Sequence, residues 1–264
     1  MTSETAVGRG EEFASEDGVK SVDRTFLLLE LMAAAGGGLK LSELTEQSGL
    51  PQATIHRLLR TLAKEGYVRQ SATRGYTLGS RLIFIGRIAS QMLGAWARPA
   101  LGRLAEATEE TAILAALDAD EVVYLAQVPS HRHSLRMFTE VGRRVPAHAT
   151  AAGKALLSQV DDEYVKRLVR GRGLPASTPA TITDADELLD NVALVRRQGF
   201  AIEDGEHEVG VRGLAVPVPQ SPRNLALCIS GPEARLSVAH LNRLLPLLRD
   251  VAEELSADIR AAEG

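Results

Sequence analysis

The sequence predicts an α+β protein: an N-terminal winged helix-turn-helix, a linking helix, and a C-terminal half in which an antiparallel sheet carries flanking helices. Three observations predict it. Leu41–Leu62, LSELTEQSGLPQATIHRLLRTL, has the apolar spacing of two short helices broken at Gly49. Residues 68–78 then read strand, turn, strand. Beyond Pro99, hairpin-like strand patterns are interrupted by helical ones, which suggests an antiparallel sheet with helices packed on it.

Residues 1–18 are mostly small and polar and are read as a tail. Residues 19–79 form the first domain. Its opening helix, Val19–Ala35, is apolar at Val22, Phe26, Leu29, Leu31 and Met32, and Gly36-Gly37-Gly38 stops it. Ser42 is the expected N-cap of the next helix, and Gly49 ends it because glycine takes positive φ without a Cβ penalty. Pro51 suits the start of a new helix, where its missing N–H has no partner to lose. In that helix Ile55, Leu58, Leu59 and Leu62 form a buried stripe. Gln52, Thr54, His56, Arg57 and Arg60 are left facing outward, as on the recognition helix of a DNA-binding domain.

Arg69 and Arg74 lie on the predicted wing, and Lys40 precedes the first helix of the pair, so all three can serve the phosphate backbone. Charge agrees. Residues 51–81 hold Arg57, Arg60, Lys64, Arg69, Arg74 and Arg81 against Glu65 alone, in a chain of net charge −4. A locally basic segment in an acidic protein is the electrostatic footprint of nucleic-acid binding.

Residues 80–98 are read as a linking helix with a broad apolar face of Leu82, Ile85, Ile88, Ala89, Met92 and Trp96. It packs either on its own C-terminal half or on a second subunit. The second is favoured, because a helix between domains has little else to bury. Arg98-Pro99 marks the boundary, and residues 99–264 form the second domain. Its expected helices are Ala100–Thr108, Thr150–Ser158, Asp161–Arg170, Asp184–Gln198 and Ser237–Ala261. Its expected strands are Thr111–Leu117, Val122–Val128, Ser134–Phe138, Phe200–Asp204, Gly213–Val218 and Leu225–Ser230.

Composition narrows the function classes. Aromatic residues make up only 4% of the chain, which argues against single-strand binding by base stacking. The single cysteine, Cys228, excludes an internal disulfide and a multi-cysteine zinc site. No apolar run nears the ~20 residues that cross a bilayer, and the N-terminus lacks a signal pattern, so a cytoplasmic protein with no membrane partner is expected. His131-x-His133 lacks accompanying ligands and is read as a solvated loop rather than a metal site, as is the acidic stretch around His207. His148 is a candidate cap or pocket-rim residue. No GxxxxGK[ST] loop, nucleophile elbow or catalytic set is present, so an enzyme is not expected and no cofactor is implied.

Several spaced motifs, in order, resemble the IclR family of bacterial transcription regulators over about residues 19–262. They are SVDR at 21–24, RLLRTL at 57–62, EGYV at 65–68, YTLGSRLIFIG at 76–86, HATAAGKALLS at 148–158, QGFAIEDGEHEVGVRGLAVPV at 198–218 and SGP at 230–232. The resemblance implies a winged helix-turn-helix that binds a palindromic operator in double-stranded DNA. It also implies a GAF/PAS-like C-terminal domain that binds a small effector, and assembly as a homodimer or a dimer of dimers.

It further implies an effector site at the backbone of Ala151 and Ala152, with Asp204 as the acidic residue and Cys228 and Ser230 as paired donors. Relatives often carry Cys where this chain has Gly213. That change is expected to enlarge the pocket, to disfavour a glyoxylate- or pyruvate-sized effector, and to suit a larger organic acid against Met137 as an apolar wall. The reading is of a repressor controlled by such an acid. The alternatives are an activator of the same family and a constitutive DNA-binding protein with a vestigial sensor.

Overall fold

A computed structural model describes residues 19–71, 75–118, 120–133, 140–221 and 223–263. They form two compact units, divided between Ala89 and Ser90.

The first unit begins with α1 (Lys20–Ala34), α2 (Leu41–Ser48) and α3 (Gln52–Lys64). A short antiparallel pair follows, β1 (Val68–Gln70) and β2 (Tyr76–Leu78), with Leu39 bridged to Tyr76. Leu28 and Met32 of α1, Leu44 of α2 and Ile55, Leu59 and Leu62 of α3 fill the core. Of the expected apolar face of α1, Met32 is buried and Leu29 and Leu31 pack against the core, but Leu28 leads it instead of Phe26, which is 57% exposed, and Val22 also faces outward. Gly49 sits at φ 66° and closes α2 as expected. Ser42 does not cap it. The helix starts at Leu41, and the Glu43 carboxylate accepts the Lys40 N–H at 2.6 Å, satisfying that amide from inside the first turn. Pro51 occupies the N-cap position of α3 rather than its first turn.

α4 (Arg81–Leu93) has no buried residue, and a 3₁₀ turn at Ala95–Ala97 follows it. Arg98-Pro99, the expected boundary, opens α5 (Arg98–Thr108), where a first-turn proline costs no hydrogen bond.

Among the described residues, the second unit is a six-stranded antiparallel sheet between helices. Its strands are β3 (Thr111–Asp118), β4 (Glu121–Val128), β5 (Arg144–Val145), β6 (Ala201–Asp204), β7 (Val211–Pro217) and β8 (Leu225–Pro232). They lie in the order β5-β4-β3-β8-β7-β6. Alternation sends Ala112, Leu114, Leu214, Val216, Leu227 and Ile229 to one face, where α5 and the long α9 (Val238–Glu263) cover them. The other face carries Ile113, Ala201, Ala215 and Cys228. It is covered by α6 (Ala151–Leu157), α7 (Asp162–Arg172) and α8 (Ala185–Gln198). The strand expected at Ser134–Phe138 lies outside the described residues.

Candidate functional site

The basic surface of the first unit is built by α3. Its apolar stripe points inward, so Gln52, His56, Arg57 and Arg60 are exposed and Thr54 is half-buried. Among the described residues none of these four exposed side chains makes a hydrogen bond or ion pair within the chain. Lys40 and Arg69 are also exposed, and the Arg69 Nε donates to Thr77 Oγ1 at 3.2 Å across the wing. Arg74 lies outside the described residues.

The second unit holds a cavity of about 50 Å³ between the sheet and α6. Sheet register creates it. Glu203, Gly213 and Ser230 lie side by side on β6, β7 and β8, and Ala215, Cys228 and Ile113 form the next row. Ala151 and Ala152 approach from α6, while Tyr124, Arg143, Val145, His207, Glu208 and Val211 complete the lining. Thr150 caps α6 by accepting the Gly153 N–H at 3.0 Å. A Cβ on Gly153 would overlap the carbonyl of Ala147, so only glycine lets α6 sit this close to the preceding turn.

Ala151, Ala152, Cys228 and Ser230 line this cavity, and Gly213 lies between Glu203 and Ser230 in the sheet. Asp204 does not join them. It is one residue further along β6, so its side chain emerges on the opposite face, 51% exposed, where it pairs with Arg212 at 2.8 Å. Glu203 takes the inward position. Its carboxylate is buried and hydrogen-bonded by the backbone N–H groups of His207, at 3.2 Å, and Ala151. Burial pushes its pKa up to about 7, against these two N–H groups.

A Cβ on Gly213 would meet Ala151 Cβ at 3.4 Å and Glu203 Oε2 at 3.6 Å, both ordinary van der Waals contacts, so the missing side chain leaves about a methyl group of space beside the carboxylate. Burial also raises the pKa of the Cys228 thiol, which donates to the Ile229 carbonyl at 3.3 Å. Met137 lies outside the described residues. His148 is buried away from the cavity, with Nε2 3.1 Å from the Pro175 carbonyl oxygen.

Behind the cavity, Lys154 of α6 forms a buried ion pair with Glu206 at 2.5 and 2.7 Å. Thr178 and Thr181 hydroxyls donate to the carbonyls of Gly205 and Glu206, both at 2.6 Å. These bonds fix the loop that carries His207, whose Nδ1 is buried with no partner among the described residues. No group of three or more metal-ligating side chains occurs among the described residues, and no helix is long and apolar enough to cross a membrane.

Residues 21–72 match the IclR helix-turn-helix domain, and residues 86–257 match the bacterial transcriptional regulator IclR C-terminal domain. The chain belongs to the IclR family. Its members are DNA-binding transcriptional regulators, and this one carries both IclR domains on an α+β fold. The transcriptional repressor IclR of Escherichia coli K12 is 35% identical over 245 residues, covering 90% of this chain and 89% of that one. The IclR transcriptional regulator of Alicyclobacillus acidocaldarius superposes with a TM-score of 0.80 at 30% identity, covering 91% of this chain and 98% of that one. An IclR homologue of Microbacterium hydrocarbonoxydans in complex with 4-hydroxybenzoate gives 0.76 at 25% identity, covering 91% and 99%.

Sequence reasoning missed the polar lining residues Glu203, Glu208, Tyr124, Arg143 and His207, and the apolar Ile113, Val145 and Val211. Strict alternation along Ala201–Asp204 carries the signal for Glu203, since Ala201 is an apolar inward position and Glu203 is two residues on.

Proposed function

We propose that this IclR-family chain is a repressor whose hold on a palindromic operator is controlled by a small organic acid bound in the C-terminal cavity. The observation that carries the DNA reading is the outward face of α3, whose polar and cationic side chains have no task inside the fold. In the major groove Gln52 suits adenine and Arg57 guanine, each good bidentate pair discriminating by about 1–3 kcal/mol. Thr54, His56 and Arg60 flank them, and Lys40, Arg69 and Arg74 serve phosphates, which set register rather than sequence. Two copies of the chain, joined partly through residues 80–98, read the two half-sites.

The repressor reading is supported by the E. coli relative, itself a transcriptional repressor. The 4-hydroxybenzoate complex of the Microbacterium homologue and the polar cavity seen here support a small acid as effector. A ligand alters operator affinity only by binding one conformation of the protein better than another.

Fluorescence anisotropy with the promoter DNA beside the gene tests the DNA half. At fixed salt, Arg57→Ala lowers affinity by about 5- to 150-fold, the equivalent of one lost bidentate contact. Lys40→Ala weakens all sequences alike and makes the salt dependence shallower. Unchanged affinity in Arg57→Ala removes that residue from the DNA face. A thermal-shift screen of organic acids, with hits tested for release of the same DNA, tests the sensor half.

A further inference from the structure

The cavity has an unusual polarity for a receptor of simple acids. Its floor carries an internal carboxylate, Glu203, which accepts the His207 N–H at 3.2 Å, and the Cys228 thiol, which donates to the Ile229 carbonyl at 3.3 Å. Among its lining residues, Glu203 and Glu208 carry carboxylates and Arg143 carries the one permanent cation. Arg143 is exposed at the mouth, makes no side-chain hydrogen bond or ion pair among the described residues, and lies close enough to His207 to help depress its pKa. His207 adds a buried ring nitrogen with no partner among the described residues. Above about pH 7, where Glu203 is ionised, a ligand carboxylate directed at the floor would meet it head-on in a desolvated space, where like charges repel strongly. The same carboxylate directed at Arg143 meets a guanidinium suited to a bidentate pair.

Resting on the reading of this cavity as the effector site, we infer that its ligand is a short carboxylate bearing a hydrogen-bond donor close to the carboxylate. The carboxylate pairs with Arg143 at the mouth, and a hydroxyl or ammonium group donates to Glu203 at the floor. Both donors satisfy the same acceptor, so hydroxy acids and amino acids share this chemistry. The volume of about 50 Å³ keeps the ligand to a few non-hydrogen atoms.

Calorimetric titration of the full chain with L-lactate, L-alanine and pyruvate tests this, because the three match in size and differ in the group beside the carboxylate. Lactate or alanine should bind at least tenfold more tightly than pyruvate. Which of the two binds decides between a hydroxyl and an ammonium donor. Glu203→Gln, close to isosteric and able to donate as well as accept, should collapse that preference. Arg143→Met, at an exposed position, should weaken all that bind in parallel. Pyruvate binding as tightly as the other two, with a ratio unmoved by Glu203→Gln, overturns the inference and leaves the effector site standing. Affinity unaffected by Arg143→Met overturns the assignment of the mouth. Binding of none of the three by the unmodified chain removes both the inference and the reading of this cavity as a receptor for short acids.

Discussion

Glu203 shows how a single position sets the character of the cavity. Its ordinary pKa is 4.5 and burial lifts it to about 7. Between those values the folded chain keeps a proton that the unfolded chain has released, so stability falls as pH rises through that window. The penalty is complete above about pH 7 and amounts to roughly 3 kcal/mol. Glutamine carries no such charge. Thermal melts should therefore show Glu203→Gln gaining on the parent chain between pH 5 and pH 8, by roughly 2–4 °C per kcal/mol. A constant gap between the two proteins across that range shows that Glu203 does not titrate there. The same residue marks what sequence reading reached. Ala151, Ala152, Cys228 and Ser230 were legible from their motifs. The choice between two adjacent acids was not, because it depends on which face of β6 turns inward. Tyr124, Arg143 and His207 are contributed by a strand and loops far apart in sequence, and no local pattern brings them together.

At the scale of elements, α6 is seven residues long and completely buried, and its position is fixed by side chains rather than by length. Gly153 permits the close approach, Thr150 caps the first turn, and Lys154 anchors the helix to Glu206. Removing one member of a buried ion pair leaves an uncompensated charge and costs about 3–5 kcal/mol. Lys154→Met should lose that much in urea unfolding, and Lys154→Met with Glu206→Leu should recover much of it. If the double variant is no more stable than the single one, the pair is not what positions α6. Elements with strong local signals were legible: α3 from its four-residue apolar recurrence, and the end of α2 from Gly49. Elements fixed by tertiary contact were not. β5 has two residues and exists through its pairing with β4. The inward face of α1 was decided by what α2 and α3 offered Leu28 and Met32, although Phe26 is the larger apolar side chain.

For the whole molecule, the open question of sequence was what residues 80–98 bury. Within one chain α4 buries no residue, and Ile83, Phe84 and Met92 are 73%, 60% and 74% exposed. A helix of 13 residues is marginal in water on its own, and exposed apolar side chains spaced along one helix favour association. A second copy is the partner a palindromic operator calls for, because two-fold symmetry in the DNA is matched by two-fold symmetry in the protein. Introducing charge at such a contact buries an unpaired carboxylate, whereas at a solvated surface it changes stability by less than about 0.5 kcal/mol. Ile83→Glu combined with Phe84→Glu should therefore shift the protein to monomer in sedimentation velocity while leaving its far-UV circular dichroism intact. Operator affinity should fall with it, since each monomer then holds one half-site without the second, whereas the residual affinity for a half-site duplex should stay that of the parent. An unchanged sedimentation coefficient places the subunit contact elsewhere on the chain and returns α4 to its other reading, a helix that packs within its own subunit.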